Sequence, residues 1–99
     1  MEMERQGDGA TFRLPSRFEG AAVASLKSQA LTILSEDNIK HIVLDFGGVS
    51  YMDSMALGAL LLLRERSMAR SKTLTLADLQ PKVRSLLALA NVQKLFEIR

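Results

Sequence analysis

The sequence contains no cysteine, no tryptophan and a single histidine among 99 residues. The missing cysteine excludes disulfides, thiolate metal sites and cysteine nucleophiles, and it suits a reducing compartment. The lone histidine, His41, has no serine–histidine–acid spacing around it, so it reads as a structural residue at a strand start rather than a base. Charge of one sign is also scarce: the formal net charge is +2, and the basic residues are scattered. With no basic block and no pair of exposed aromatics at RNA-binding spacing, nucleic acid is not an expected partner. Long apolar runs are absent. The longest, Ala59 to Leu63, is far short of the roughly 20 residues that span a bilayer, so no membrane is expected. Met1 to Gly9 lacks the apolar core of a signal peptide, and the expected location is cytoplasmic. Gly47-Gly48 is not followed by a GxxxxGK[ST] pattern, which removes the usual phosphate cradle. No cofactor, metal or enzymatic activity is expected.

What is present suffices for one domain, residues 1–99, with one core. The hydrophobic share is 47%, but there are only four phenylalanines and one tyrosine, so the core must be built from Leu, Val, Ile, Ala and Met. Met1 to Gln6 alternates weakly and reads as a charged edge strand. Gly7-Asp8-Gly9 supplies a hairpin turn. Thr11 to Leu14 alternates as a second strand that ends at Pro15. Ser16 to Glu19 reads as a loop. Val23, Leu26, Ala30, Ile33 and Leu34 then recur at helical spacing between Gly20 and about Ser35. Ile42, Val43, Leu44 and Phe46 form a short run with the character of a strand covered on both faces. A second helix is expected from Ser54 to Met68 or Ala69, with Leu57, Leu60, Leu61, Leu63 and Met68 buried. Thr73 to Ala77 alternates as a strand. Pro81 opens a third helix with the stripe Val83, Leu86, Leu87 and Ala90, stopped at Asn91. Leu95 to Ile98 is a last strand. The order β-β-α-β-α-β-α-β gives an α/β fold: a mixed sheet of four to five strands, with parallel crossovers and helices mainly on one side.

The stretch from His41 to Arg64 organises the rest. It reads as a strand, a glycine break and a helix starting at Asp53-Ser54. Asp53 can cap the free amides of the first turn. Ser54 then sits in that turn, at the positive end of the helix dipole, where a phosphate is tolerated. The bland reading is a plain capping pair. Gly58, Ala56 and Ala59 keep the first turns thin, so that another backbone or a partner can approach. Met52 and Met55 are either exposed contacts or core filling. Asp45 either shapes the site or stabilises a turn. Arg64, Glu65 and Arg66 read as a solvated helix face, with contact to a partner as the alternative.

Val49 to Leu61, with Met52-Asp53-Ser54-Met55-Ala56-Leu57-Gly58 at its centre, resembles the signature of the STAS-domain family, in the branch of bacterial anti-sigma factor antagonists. The resemblance extends to the His41 to Asp45 strand and to the helix from Pro81, and so to nearly the whole chain. It implies the STAS fold and phosphorylation of the first serine after the aspartate, here Ser54. Two departures from the family pattern stand out. Met55 replaces a second hydroxyl residue, with Ala56 at the glycine position as in some members, and the loop after the second strand, which usually carries an acid and often a glycine, is here Ser16-Arg17-Phe18-Glu19. The loop carrying Ser16 and Glu19 is implied to lie beside Ser54. Ser16, Glu19, Met52, Asp53, Met55, Ala56 and Gly58 are the implied partner-binding residues.

The resemblance further implies a non-enzymatic partner-switching regulator. The unphosphorylated form would bind a serine kinase that is itself the anti-sigma factor, of the histidine-kinase-like ATPase superfamily. Phosphorylation would release it, and a PP2C-type phosphatase would restore it. Two alternatives come from other classes. One is an unmodified STAS subunit of a transporter or stressosome-type assembly. The other is a nucleotide- or anion-sensing domain.

Overall fold

The computed structural model describes residues 1–99. In chain order the elements are β1 (Glu2–Gln6), β2 (Gly9–Arg13), β3 (Arg17–Phe18), α1 (Ala21–Leu34), β4 (His41–Asp45), β5 (Tyr51–Met52), α2 (Ser54–Ala69), β6 (Thr73–Ala77), α3 (Pro81–Leu89), a 3-10 turn (Gln93–Leu95) and β7 (Glu97–Ile98). Five strands form one mixed sheet in the order β1-β2-β4-β6-β7. The first pair is an antiparallel hairpin and the later pairs are parallel. The expected α/β architecture is therefore observed.

Register explains where the core sits. Ala10, Ile42 and Leu74 lie side by side, as do Phe12, Leu44 and Leu76, and all six are buried. The next residues across the pleat, Thr11, Val43 and Thr75, are only half-buried. The β4 run is thus covered on one face, not on both. Its hydrophobic reading failed because Val43 has threonine neighbours on either side, which only the register reveals. α1 and α2 pack together over the buried face, and one cluster of 25 buried residues joins helices and sheet. The α1 residues expected inside, Val23, Leu26, Ala30, Ile33 and Leu34, are all buried.

α2 departs from expectation. Met68 is 60% exposed, while Ser67 is buried at 1%. Ser67 can face the core because its hydroxyl donates to the Leu63 carbonyl at 2.7 Å, which satisfies it within the helix. Ala56 and Ala59 also face inward, beside Leu60 and Leu63. In α3 only Val83 and Leu87 are buried, and Leu86 and Ala90 face outward. Leu95 belongs to the 3-10 turn rather than to the last strand.

Both helices end in the same way. Ser71 and Asn91 take left-handed conformations at φ 57° and 58°, just past the helix ends. The Lys72 amide then reaches the Ser67 carbonyl, and the Val92 amide reaches that of Leu87. Such reversals stop a helix while satisfying its last carbonyls. Lys72 Nζ does similar work for α1, donating to the Leu34 and Glu36 carbonyls, each at 2.6 Å. Arg5 grips Glu36 with two hydrogen bonds, of 2.7 and 2.6 Å, tying the edge strand to the end of α1. That hydrogen bonding holds the Glu36 carboxyl below its ordinary range. His41 has the expected structural role, with Nδ1 2.8 Å from Thr73 Oγ1 and Nε2 3.5 Å from Asp8. No helix is long and apolar enough to cross a membrane.

Candidate functional site

The site is assembled where β4 leaves the sheet. Asp45 Oδ1 accepts from the Gly47 amide at 2.8 Å, Gln80 Nε2 donates to the Gly47 carbonyl at 2.8 Å, and the Val49 amide bonds the Phe46 carbonyl at 2.9 Å. Asp45 is thus a turn-stabilising residue. Phe46, wholly buried, meets the edge of Phe18 with ring centroids 6.1 Å apart and planes at 88°.

That contact anchors a feature missing from the sequence reading. The segment expected as a loop at Ser16 to Glu19 holds β3, paired in parallel with β5 as a separate two-stranded sheet. Two residues per strand carry no periodicity, so no sequence pattern marks them. The Ser16 carbonyl accepts from the Ser50 and Tyr51 amides at 2.9 and 3.2 Å, and the two serine hydroxyls are 2.9 Å apart. Arg17 pairs with Tyr51 and Phe18 with Met52. Glu19 and Asp53 are the residues that follow these paired ends. Arg17 bonds Glu19 at 2.6 Å and lies 4.6 Å from the centre of the Tyr51 ring. The pairing thus sets the Ser16–Glu19 segment alongside the short strand that leads into α2.

Asp53 is extended, at φ −105° and ψ −178°, and its Oδ1 accepts from the Ala56 amide at 2.9 Å. It caps α2 as expected. Replacing Asp53 by alanine should cost about 1 kcal/mol, read as a lower urea midpoint at unchanged slope. A variant as stable as the parent would mean that the cap contributes nothing.

Ser54 is the first residue of α2 and is exposed. Met55 is 71% exposed, and a Cβ placed on Gly58 would meet nothing within 4 Å. Ser54, Met55 and Gly58 thus form an open face. The expectation fails at Ala56, which is wholly buried and offers a partner no surface in this conformation. Met52, 4% exposed, chiefly fills the core and shows only an edge to the surface. The small residues at 56 and 59 make room for the core, not for a partner. Arg64, the possible contact residue further along α2, donates to the Leu95 carbonyl at 2.6 Å.

Ser54 also borders a depression of about 300 Å³ between α2 and α3. Met52, Leu57, Leu86, Leu89 and Ala90 form its apolar lining, and Asp53 and Ser54 its polar part. The sequence reading missed the α3 side. The available signal was Leu89, which falls outside the buried Val83–Leu87 stripe. No group of three or more His, Cys, Asp or Glu is arranged to hold a metal ion.

Comparison with known proteins agrees with this geometry. The STAS domain model matches residues 1–99. A STAS-domain containing protein of Pseudomonas aeruginosa (strain UCBPP-PA14) is 41% identical over 59 residues, covering 60% of this chain and 58% of that relative. The match thus spans less than two thirds of the relative's length. Among solved structures, the anti-sigma factor antagonist SpoIIAA in its unphosphorylated form superposes with a TM-score of 0.86 at 19% identity, covering 99% of this chain and 86% of that one. The phosphorylated form of SpoIIAA, a Bacillus cell fate determinant, gives 0.80 at 18% identity, covering 99% and 89%. The STAS domain of a SulP transporter from Vibrio cholerae gives 0.74 at 16% identity, covering 96% and 75%. At these identities the structural likenesses speak for the fold, while the family model covers the chain from end to end: the protein belongs to the STAS domain family.

Proposed function

We propose that the chain is an anti-sigma factor antagonist that works by partner switching at Ser54. Unphosphorylated, it binds a serine kinase of the histidine-kinase-like ATPase superfamily that acts as the anti-sigma factor. Phosphorylation of Ser54 breaks the complex, and a PP2C-type phosphatase restores it. The contact surface comprises Ser54, Met55 and Gly58 on the open face of α2, Asp53 at its cap, and Ser16 and Glu19 on the adjoining segment. Met52 and Ala56 support this surface from beneath.

One observation carries the reading. Ser54 is an exposed hydroxyl at the start of a well-capped helix, and it lies against an apolar groove. The helix terminus tolerates added negative charge, because free amides and the dipole face it. The groove does not. A phosphoserine brings roughly −1.5 to −2 charges at neutral pH, next to Asp53 and to apolar side chains that a partner would cover. The fold can therefore keep the phosphate while an interface cannot. The likeness to SpoIIAA in both unphosphorylated and phosphorylated forms supports the same reading.

Intact-mass measurement after incubation with the purified kinase and ATP tests it. One phosphoryl group should be gained by the parent and none by Ser54→Ala. Equal phosphate uptake by Ser54→Ala would remove the site assignment. The alternative, a structural STAS subunit, draws on the likeness to the SulP transporter domain and expects Ser54 to stay unmodified, so the same measurement separates the two.

A further inference from the structure

β1 is an outer strand of the sheet, and only β2 pairs with it. Its far side therefore presents backbone N–H and C=O groups that no neighbouring strand takes up. Pairing with β2 fixes which way each side chain points. Met3 and Arg5 stand beside Phe12 and Ala10, on the face that carries the core, while Glu2 and Glu4 stand beside Arg13 and Thr11 on the open face. A depression flanks the strand on each face. On the open face, Glu2, Met3, Glu4, Thr11 and Arg13 line about 340 Å³. On the other, Met3, Arg5, Ser28, Gln29, Thr32 and Ile33 line about 270 Å³ between the strand and α1. Met3, 38% exposed, borders both. These are the places that alternate side chains of one more strand would occupy. Neither depression shares a residue with the one beside Ser54.

Charge decides what kind of strand fits. An antiparallel β1–β1 junction between two copies would have its dyad perpendicular to the sheet, so that opposed residues face the same way. Each such register with three or more pairs sets like charges directly opposite: Glu2 on Glu2, Glu2 on Glu4, Glu4 on Glu4 or Arg5 on Arg5. A second copy is therefore disfavoured, and a basic strand meets the opposite situation. Glu4 takes part in none of the ion pairs of the structure, and Glu2 shares Arg13 with Asp45. On this face three carboxylates thus answer to one guanidinium. On the α1 side Arg5 is already bonded to Glu36, and the rest of the lining is apolar or uncharged. We propose that the β1 edge docks an extended segment of a partner protein, which adds a strand to the sheet and alternates basic with small apolar residues. Its cations face Glu2 and Glu4, and its apolar side chains enter the depression beside α1. The same carboxylates that keep copies of the chain apart select this partner.

Titration of the isotope-labelled full chain with an alternating lysine–valine hexapeptide, followed by amide chemical shifts, tests the proposal. Saturable binding with a Kd of about 1 mM or tighter should shift the amides of Glu2 to Gln6 and of Ser28, Gln29 and Thr32, and should slow hydrogen exchange along β1. Glu4→Lys should weaken this peptide about tenfold and bind a glutamate–valine hexapeptide instead, with Glu4→Gln in between. Glu4 is exposed, and thermal melts establish that the variants fold; Glu4→Gln serves if Glu4→Lys does not. The lysine–valine peptide N-methylated at its two central residues keeps its charge but cannot complete the ladder, so it should not bind. Equal binding by the methylated peptide overturns strand addition, because charge alone would then hold it. No saturable binding, or shifts confined to other segments, overturns the site. Unchanged affinity in Glu4→Lys or Glu4→Gln overturns the choice of a basic partner. Self-association of the parent in sedimentation, with β1 amides protected before any peptide is added, would give the edge to a second copy and overturn the heterologous partner.

Discussion

Ser54→Glu should fold like the parent, with a melting temperature within a few degrees, yet bind the kinase at least about a hundredfold more weakly. The two halves of this expectation have different physical origins. Within the monomer, position 54 is the first residue of α2 and faces solvent. A carboxylate there meets free amides and the positive end of the dipole, which is worth about 0.3–1 kcal/mol in favour of the helix. No core atom is displaced. At the interface the sign reverses. The same carboxylate must enter a groove lined by Met52, Leu57, Leu86, Leu89 and Ala90, beside the carboxylate of Asp53. Taking an unpaired charge out of water costs several kcal/mol, and about 2.7 kcal/mol already amounts to a hundredfold in affinity. Calorimetric titration of the kinase with Ser54→Glu and Ser54→Gln separates charge from bulk. Glutamine has the same size and no charge, so it should retain most of the affinity. Equal losses for the two variants would make the effect steric. Unchanged affinity for glutamate would remove charge as the switch.

The parts of this fold legible in the sequence are those whose cause is local. The buried stripe of α1 follows from spacing alone. Asp53 is readable as a cap because its side chain bonds an amide three residues away, and Asn91 as a stop because asparagine tolerates the left-handed turn. What could not be read depends on distant partners. Val43 is half-buried because the register puts Thr11 and Thr75 beside it. Ser67 rather than Met68 faces inward because the helix orientation is set by packing on α1 and β6, and a serine can satisfy itself on the preceding turn. The same division holds at the site. Ser54 and its cap lie within one motif and were legible. The groove needs α3 to lie against the start of α2, and adjacent Leu86 and Leu87 do not reveal which of them faces the core. Ala56 was misread, and Met52 left open between contact and core, for a related reason: their small or adaptable side chains suit a partner surface and a tight core equally well.

The largest expected loss of stability comes from Phe18→Ala. Phe18 is wholly buried, and its ring packs edge to face on Phe46 at 6.1 Å. Truncating such a ring typically costs about 3–5 kcal/mol, against the roughly 5–15 kcal/mol that holds a domain together. The melting temperature should fall by at least about 10 °C. Phe46→Ala should cost a similar amount. The double variant should show a coupling of about 0.5–1.5 kcal/mol, the part due to the ring–ring contact itself. The position gives this core residue a functional consequence as well. β3 is only two residues long, and Phe18 is its one buried side chain. With the ring gone, β3 is held to β5 by its two-residue backbone pairing, the amides of Ser50 and Tyr51 on the Ser16 carbonyl and the Ser16–Ser50 hydroxyl contact, with no buried side chain of its own. Met52, which pairs with Phe18, is followed directly by the Asp53 cap. Loosening should therefore spread to the first turn of α2. The Ala56 amide, bonded to Asp53 in the parent, should exchange faster with solvent than amides in the middle of α2. A uniform increase along α2 would reflect only the global loss of stability. A cost below about 1 kcal/mol would show that the Phe18–Phe46 contact does not anchor the site.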